Sequence, residues 1–448
     1  MSATSQLVFI PCPGAGHLVS MVEVAKLLAD RDDRLSITFS FDSEIDSHIE
    51  SLTASITARI RFVLIPRRSY SPGTSNLAFI HHFMECHKTD VREAVAELSA
   101  RGSPRLIGLI IDLFCTPMID FGVPSYMFFT LGAAFLGVML HLQSLQHEQH
   151  MDPTRLKGSD IELDFPCFAN LLPAAKFLPL EALREEECQI LLDLALRYRE
   201  TKGILVNTFA KLEPRVVETR ASLGAPTVYP VGPILNIKVE SKKGLEILDW
   251  LDQQPDGSVV FLCFGSKGYF DEHQAEEIAH ALERSMYRFL WSLRQPPVLP
   301  EGFLNRTAGV ERVIGWAPQV AVLAHPTIGG FVSHCGWNST LESIWFSMPI
   351  AAWPQYAEQQ FNAFQLVLEL SLAVEINMDY RRDLVKDSDG IVTADDIEGG
   401  IRKLMEGEEA GERRKKVKEI SEKSRKALTE GGSSYLSLAR FIEDVCSQ

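Results

Sequence analysis

The chain contains no CxxC pair. Its eight cysteines, Cys12, Cys86, Cys115, Cys167, Cys188, Cys263, Cys335 and Cys446, are widely scattered. That argues against a zinc ribbon or a redox dithiol and for a reduced, cytoplasmic protein with mostly buried thiols. Long hydrophobic runs are also lacking. The longest, near Met127 to Leu140, is too short to cross a bilayer and is broken by Thr130 and two glycines. It reads as a buried strand followed by the start of a core helix. Positive charge is in deficit, with 44 Lys and Arg against 59 Asp and Glu and a net charge of −15. A nucleic-acid binder needs a basic face, so that class is disfavoured, while one small anion in a local pocket remains allowed. The opening residues, Met1 to Gln6, have no positive n-region of a targeting leader. No solenoid-type repeat is present.

What is present is an alternation of strand and helix patterns over 448 residues, enough chain for two to three domains. Leu7–Ile10 reads as a strand, and Met21, Val24, Ala25 and Leu28 mark a helical face after it. Further strands are expected at Leu35–Ser40, Ile107–Ile111, Ser125–Phe129 and Gly203–Val206. Tyr229–Pro233 is a breaker cluster leading into the polar stretch Lys238–Lys243, where a domain linker is expected. The alternation then restarts with strands at Val259–Phe264, Phe289–Ser292, Gly330–Ser333 and Ile350–Trp353. Asp271 with Gln274 three residues on reads as a helix N-cap. Charged Glu406–Lys426 reads as a helix with a solvated face, and a last helix is expected over Ser434–Val445. This rhythm implies parallel sheets covered on both faces, and the two halves read as two copies of one α/β architecture.

Three segments could carry chemistry. The first strand ends in Pro11-Cys12-Pro13-Gly14-Ala15-Gly16-His17. The GxGxxG fingerprint is incomplete, because position 19 is Val. His17 falls at the carboxyl edge of a parallel sheet, where ligands of open α/β sheets bind. A histidine there can be structural or catalytic. Asp112 ends the apolar run of Ile110-Ile111, also at a carboxyl edge, and can be a cap or the partner that orients a histidine base. The third segment, Gly329 to Thr340, reads as strand, small turn and helix start. Free amides and a positive dipole end make such a start a plausible diphosphate cradle, and clustering of His334, Gly336 and Asn338 there exceeds what an ordinary cap needs. Phe264-Gly265-Ser266 offers a second such turn.

From Trp316-Ala317-Pro318-Gln319 through His334-Cys335-Gly336-Trp337-Asn338-Ser339 and Glu342 to Tyr356-Ala357-Glu358-Gln359, the sequence closely resembles the signature box of plant UDP-dependent glycosyltransferases, family 1 of the inverting enzymes. The match is long and gap-free, and the N-terminal His turn, the mid-domain Asp and the Phe-Gly-Ser turn fall in the family's order. Resemblance extends over essentially the whole chain, most weakly at residues 40–100 and 145–200.

The resemblance implies a GT-B fold: two facing Rossmann-like α/β domains with parallel sheets and a cleft between them. Residues 1–235 would bind the acceptor, 236–245 would link, and 246–430 would bind the UDP-sugar, with the helix of 431–448 packing back on the first domain. Trp316 would stack on uracil, a contact worth about 1–3 kcal/mol per base, with Ala317 and Gln319 reading its edge. Glu342 would take the ribose hydroxyls. His334, Gly336, Asn338, Ser339 and Ser266 would hold the diphosphate. Trp337, Glu358, Gln359 and Thr130 would meet the sugar, Gln359 pointing to glucose. His17 would be the general base and Asp112 its orienting partner. The donor would be UDP-glucose, with no cofactor and no metal, since no acidic DxD-type cluster stands at the cradle. A monomeric cytoplasmic enzyme is expected, glucosylating a small apolar or phenolic metabolite with inversion, and binding neither nucleic acid nor a membrane. Phe83, Met84, Phe114, Phe128 and Leu180 are candidate acceptor-pocket walls. Two connections, Ile119–Pro124 and Leu293–Pro300, are shorter than the family's pattern. A non-catalytic UDP-sugar sensor and a nucleotide-sugar epimerase are the alternatives on the same architecture. An NAD-dependent oxidoreductase is disfavoured by Val19.

Overall fold

A computed structural model describes residues 5–42, 59–66, 76–100, 102, 104–219, 224–237, 245–294, 297–381 and 390–447. The first sheet is built from β1 (Ser5–Ile10), β2 (Leu35–Asp42), β3 (Ile60–Ile65), β4 (Arg105–Asp112) and β5 (Ser125–Phe129). A small antiparallel pair, β6 (Glu162–Leu163) and β7 (Leu172–Pro173), stands apart, and β8 (Ile204–Val206) and β9 (Val228–Pro230) complete the large sheet. Its order is β3-β2-β1-β4-β5-β8-β9, every described pairing parallel. The second sheet comprises β10 (Val259–Cys263), β11 (Arg288–Ser292), β12 (Glu311–Ile314), β13 (Ile328–Ser333), β14 (Ile350–Ala352) and β15 (Ala373–Glu375). Its order is β12-β11-β10-β13-β14-β15, again all parallel. Both orders reverse direction once, between β1 and β4 and between β10 and β13, the doubly wound Rossmann pattern. The chain is thus an α/β protein with two Rossmann-like sheets.

The central strands are continuous apolar runs because both faces are covered by helices. Alternation along β5 sends Tyr126 and Phe128 to one face and Met127 and Phe129 to the other. The first face packs against the helix Ala15–Arg31 and the C-terminal helix Ser433–Cys446. Phe441 lies edge-on to Tyr126 and Tyr229, with ring centroids 5.2 and 5.4 Å away. Tyr229 Oη donates to Asp444 at 2.6 Å, and Arg31 stacks over Tyr435 at 3.3 Å. The Asp271 carboxylate accepts the Gln274 amide at 2.8 Å and starts the helix Glu272–Ser285.

The breaker cluster at Tyr229 begins as the edge strand β9, so the first sheet runs on through Pro230 before any linker. An edge tolerates Pro because one side of the strand needs no donor. Lys238–Lys243 lies outside the described residues. The short connection after β4 forms a 3-10 helix, Thr116–Phe121, closed by Gly122 at φ 74°. All eight cysteines are free thiols, and among the described residues no helix is long and apolar enough to cross a membrane.

Candidate active site

The two switch points face one another. At the first, the chain leaves β1, enters the helix Ala15–Arg31 and places His17 in its first turn, while Asp112 closes the adjacent strand β4. His17 Nδ1 lies 2.8 Å from Asp112 Oδ2. Asp112 is fully buried and its Oδ1 accepts the Phe114 amide at 3.2 Å. An ionised carboxylate only accepts, so Nδ1 carries the proton and donates, leaving Nε2 with the lone pair. Thr130 Oγ1 stands 3.3 Å from the same Nδ1. Burial alone would push the imidazole's pKa down. The charge and hydrogen bond of Asp112, helped by Glu358 and opposed by Lys267, outweigh it and raise the pKa above its ordinary 6.5.

At the second switch point, β13 passes through His334 and Cys335 into the helix Trp337–Trp345. No side chain caps this helix, and the first amide bonded within it is that of Thr340, to Gly336 O at 2.9 Å. The preceding amides and the positive dipole end are therefore open to an anion. His334 is clamped between two glycines: a Cβ on Gly265 or Gly336 would come within 2.6 or 2.7 Å of its Nε2. Gly265 also sits at φ 74°, a left-handed conformation that glycine adopts without strain. Burial depresses the His334 pKa to about 4, so the ring is neutral, and its buried Nδ1 has no partner. Ser266 is exposed at the neighbouring turn.

Beyond the helix start stand the residues expected to meet the nucleoside. Gln319 donates to Ser339 Oγ at 3.0 Å and to Glu342 Oε2 at 2.7 Å, and Ala317 is buried beside it. Burial raises the Glu342 pKa to about 7, with the Gln319 bond opposing. The Trp316 indole is 44% exposed, an unusual state for the largest apolar side chain and one suited to stacking. Gln359 is pinned through its Oε1, which accepts the amides of Gln355 and Tyr356 at 3.0 and 3.1 Å. That fixes which way its Nε2 donors point. Glu358 precedes it, and burial pushes its carboxyl above the ordinary range while His17 pulls it down.

The two halves touch at the site. Asn338 Nδ2 approaches Gly16 O, and Ser20 Oγ approaches Asn338 Oδ1, each at 3.5 Å. Glu213, buried, accepts the amides of Ala133 and Ala134 at 2.8 Å each and the Gln365 side chain at 3.0 Å. It thereby caps the helix that follows Thr130 and ties it to the second domain. Sequence reasoning missed this residue, since a lone Glu ahead of a proline carries no signal.

Comparison with known proteins identifies the family. Residues 198–387 match the family model described as UDP-glucoronosyl and UDP-glucosyl transferase. The chain is 53% identical, over 485 aligned positions and 99% of each chain, to UDP-glucose flavonoid 3-O-glucosyltransferase 6 of Fragaria ananassa. The chain belongs to the plant UDP-dependent glycosyltransferases. Two solved members share the fold of this glycosyltransferase. One, from Siraitia grosvenorii in complex with UDP, has a TM-score of 0.89 and 49% identity, covering 99% of this chain and 100% of that one. The other, from Medicago truncatula and complexed with UDP-glucose, has a TM-score of 0.90 and 40% identity, covering 99% and 98%. The 485 aligned positions exceed the 448 residues of this glycosyltransferase, so the Fragaria relative carries insertions that it lacks.

Beside His17 the glycosyltransferase opens an apolar cleft of about 80 Å³. Phe114, 5.8 Å from the His17 ring, is one wall as expected from the sequence, with Leu113, Leu131, Phe135 and Met139 as further walls. The other sequence candidates are not among the walls. Phe83 and Met84 are packed into the core, and Phe128 faces the opposite side of the sheet. Leu180 stands between two lining residues, Pro179 and Glu181, without lining the cleft itself. Trp337 is 3% exposed and its Nε1 donates to Asn207 O at 2.7 Å, so the indole joins the two halves beside the site.

Proposed function

We propose that this enzyme transfers glucose from UDP-glucose to a hydroxyl of a small, apolar or phenolic metabolite, giving a β-glucoside and UDP. The His17–Asp112 pair carries the reading, set across a cleft from an uncapped helix start. His17 Nε2 takes the proton of the acceptor hydroxyl as that oxygen forms its bond to the anomeric carbon. The bond from that carbon to the diphosphate breaks on the opposite face, and configuration inverts. Asp112 holds the imidazole tautomer and offsets the charge it gains. The amides opening the helix Trp337–Trp345, with His334, Asn338, Ser339 and Ser266, bind the diphosphate as negative charge builds on it. That supply of positive potential supports a metal-independent reaction. Trp316, Ala317, Gln319 and Glu342 hold the nucleoside, and Glu358, Gln359 and Thr130 the glucose.

In this reading residues 1–235 serve the acceptor and 246–430 the donor. One chain carries both halves, so a monomer is the working unit, and the free thiols fit a cytoplasmic setting. The relatives' flavonoid acceptors and the apolar cleft beside His17 support a phenolic substrate. The test is UDP release from UDP-glucose with a panel of phenols, the product's anomeric configuration being read by NMR. Glucose transfer with a β product is expected. Binding of UDP-glucose without turnover of any phenol would indicate a sensor instead.

A further inference from the structure

The acceptor cleft contains a carboxylate that the reaction does not use. Among its described walls only Glu181 and Glu358 carry polar side chains, and Glu358 stands next to Gln359 at the sugar end. Glu181 lies on the short turn Leu180–Leu183. Its Oε2 is closed off from solvent and has no hydrogen-bond partner. Its own backbone amide lies near the carboxylate. Burial pushes its pKa up to about 7, with its own backbone amide and Arg184 opposing and Glu187 and Glu358 adding to it. Arg184 and Arg381 lie close enough to feel its charge, yet among the described residues no side chain donates to Oε2, and a buried acceptor left without a donor is costly to keep.

We propose that Glu181 is a specificity-determining residue of the acceptor site, its carboxylate, on the wall of the cleft, accepting a hydrogen bond from a second hydroxyl of the acceptor while the first reacts at His17. The enzyme then selects dihydroxylated or polyhydroxylated aromatics over monohydroxylated ones of the same shape. The cleft's apolar walls, Leu113, Phe114, Leu131, Phe135 and Met139, take the ring system and offer that second hydroxyl no competing partner. The inference rests on the phenolic acceptor proposed above.

The test compares 4,4′-dihydroxybiphenyl with 4-hydroxybiphenyl in wild type, Glu181→Gln and Glu181→Leu. In wild type, kcat/KM should favour the diol by roughly ten-fold, beyond the statistical advantage of two equivalent hydroxyls, as one hydrogen bond to a charged group implies. The Leu variant should lose that ratio through a raised KM for the diol. The Gln variant, whose amide oxygen still accepts, should keep most of it. An unchanged ratio in the Leu variant, or no preference in wild type, overturns the proposal while leaving the phenol reading intact. Turnover of neither biphenyl by wild type, with UDP-glucose bound, overturns both.

Discussion

The indole of Trp337 donates its Nε1–H to the carbonyl of Asn207 at 2.7 Å, so the first residue of the helix facing the donor is fastened to the other domain. The same ring lies against Gly132, where a Cβ would come within 3.0 Å of it. Gly132 in turn precedes the helix capped by Glu213. The relative placement of base and diphosphate site thus depends on a buried interdomain contact.

Trp337→Phe should therefore lower stability and turnover together. It leaves the Asn207 carbonyl buried without its donor, which costs about 1–3 kcal/mol. Thermal melting should show the loss, and kcat should fall further than UDP affinity, because the helix start itself is intact. A variant with unchanged kcat would mean that this contact does not set the catalytic geometry.

Gly265→Ala should damage donor binding. The new methyl would enter the space of the His334 ring at 2.6 Å, from a backbone held at φ 74°. Overpacking of this kind typically costs about 1–3 kcal/mol. Titration calorimetry with UDP should show a Kd raised roughly ten-fold or more. An unaltered Kd would remove His334 from the diphosphate site.

Asp112→Asn should change the pH profile in a defined direction. In wild type the His17 pKa is raised, chiefly by the charge and hydrogen bond of Asp112 against the effect of burial. The base must be neutral to act, so kcat/KM should fall as pH drops through that raised value. Removing the negative charge lowers the His17 pKa, and the acid limb should move to lower pH while the plateau rate drops. A limb that stays in place would assign it to another group.

Chelation should leave the rate unchanged. In the proposed mechanism the helix amides and the His334, Asn338, Ser339 and Ser266 side chains supply the positive and donor groups that the departing UDP requires. A steady-state assay with and without excess EDTA checks this, and activity lost to EDTA and restored by a divalent cation would contradict it.

Much of this was legible in the sequence for physical reasons. Ser125–Phe129 is a buried parallel strand, and such strands announce themselves as unbroken apolar runs. The Asp271–Gln274 cap has its own side-chain signature. The stretch from Trp316 to Gln359 could be recognised because its polar residues stand in a fixed order along the strand, turn and helix. Edge strands were not legible. Glu311–Ile314 is half-buried and opens with two charged residues, and Val228–Pro230 ends in proline. Nor was the facing of side chains. Phe128 and Phe129 are adjacent apolar residues, yet alternation sends them to opposite faces, and a strand covered on both sides gives no polar residue to reveal which is which. Glu181 belongs to no motif in the sequence, and only its place on the wall of the cleft makes it conspicuous.

Proton acceptance by His17 is the central step of the proposed reaction. The decisive measurement pairs UDP calorimetry with the initial rate of glucosyl transfer in His17→Ala. The rate should fall by roughly 10²–10⁴-fold, with the UDP Kd nearly that of wild type. Transfer that persists at the wild-type rate, or a Kd weakened as much as the rate, would show that His17 does other work.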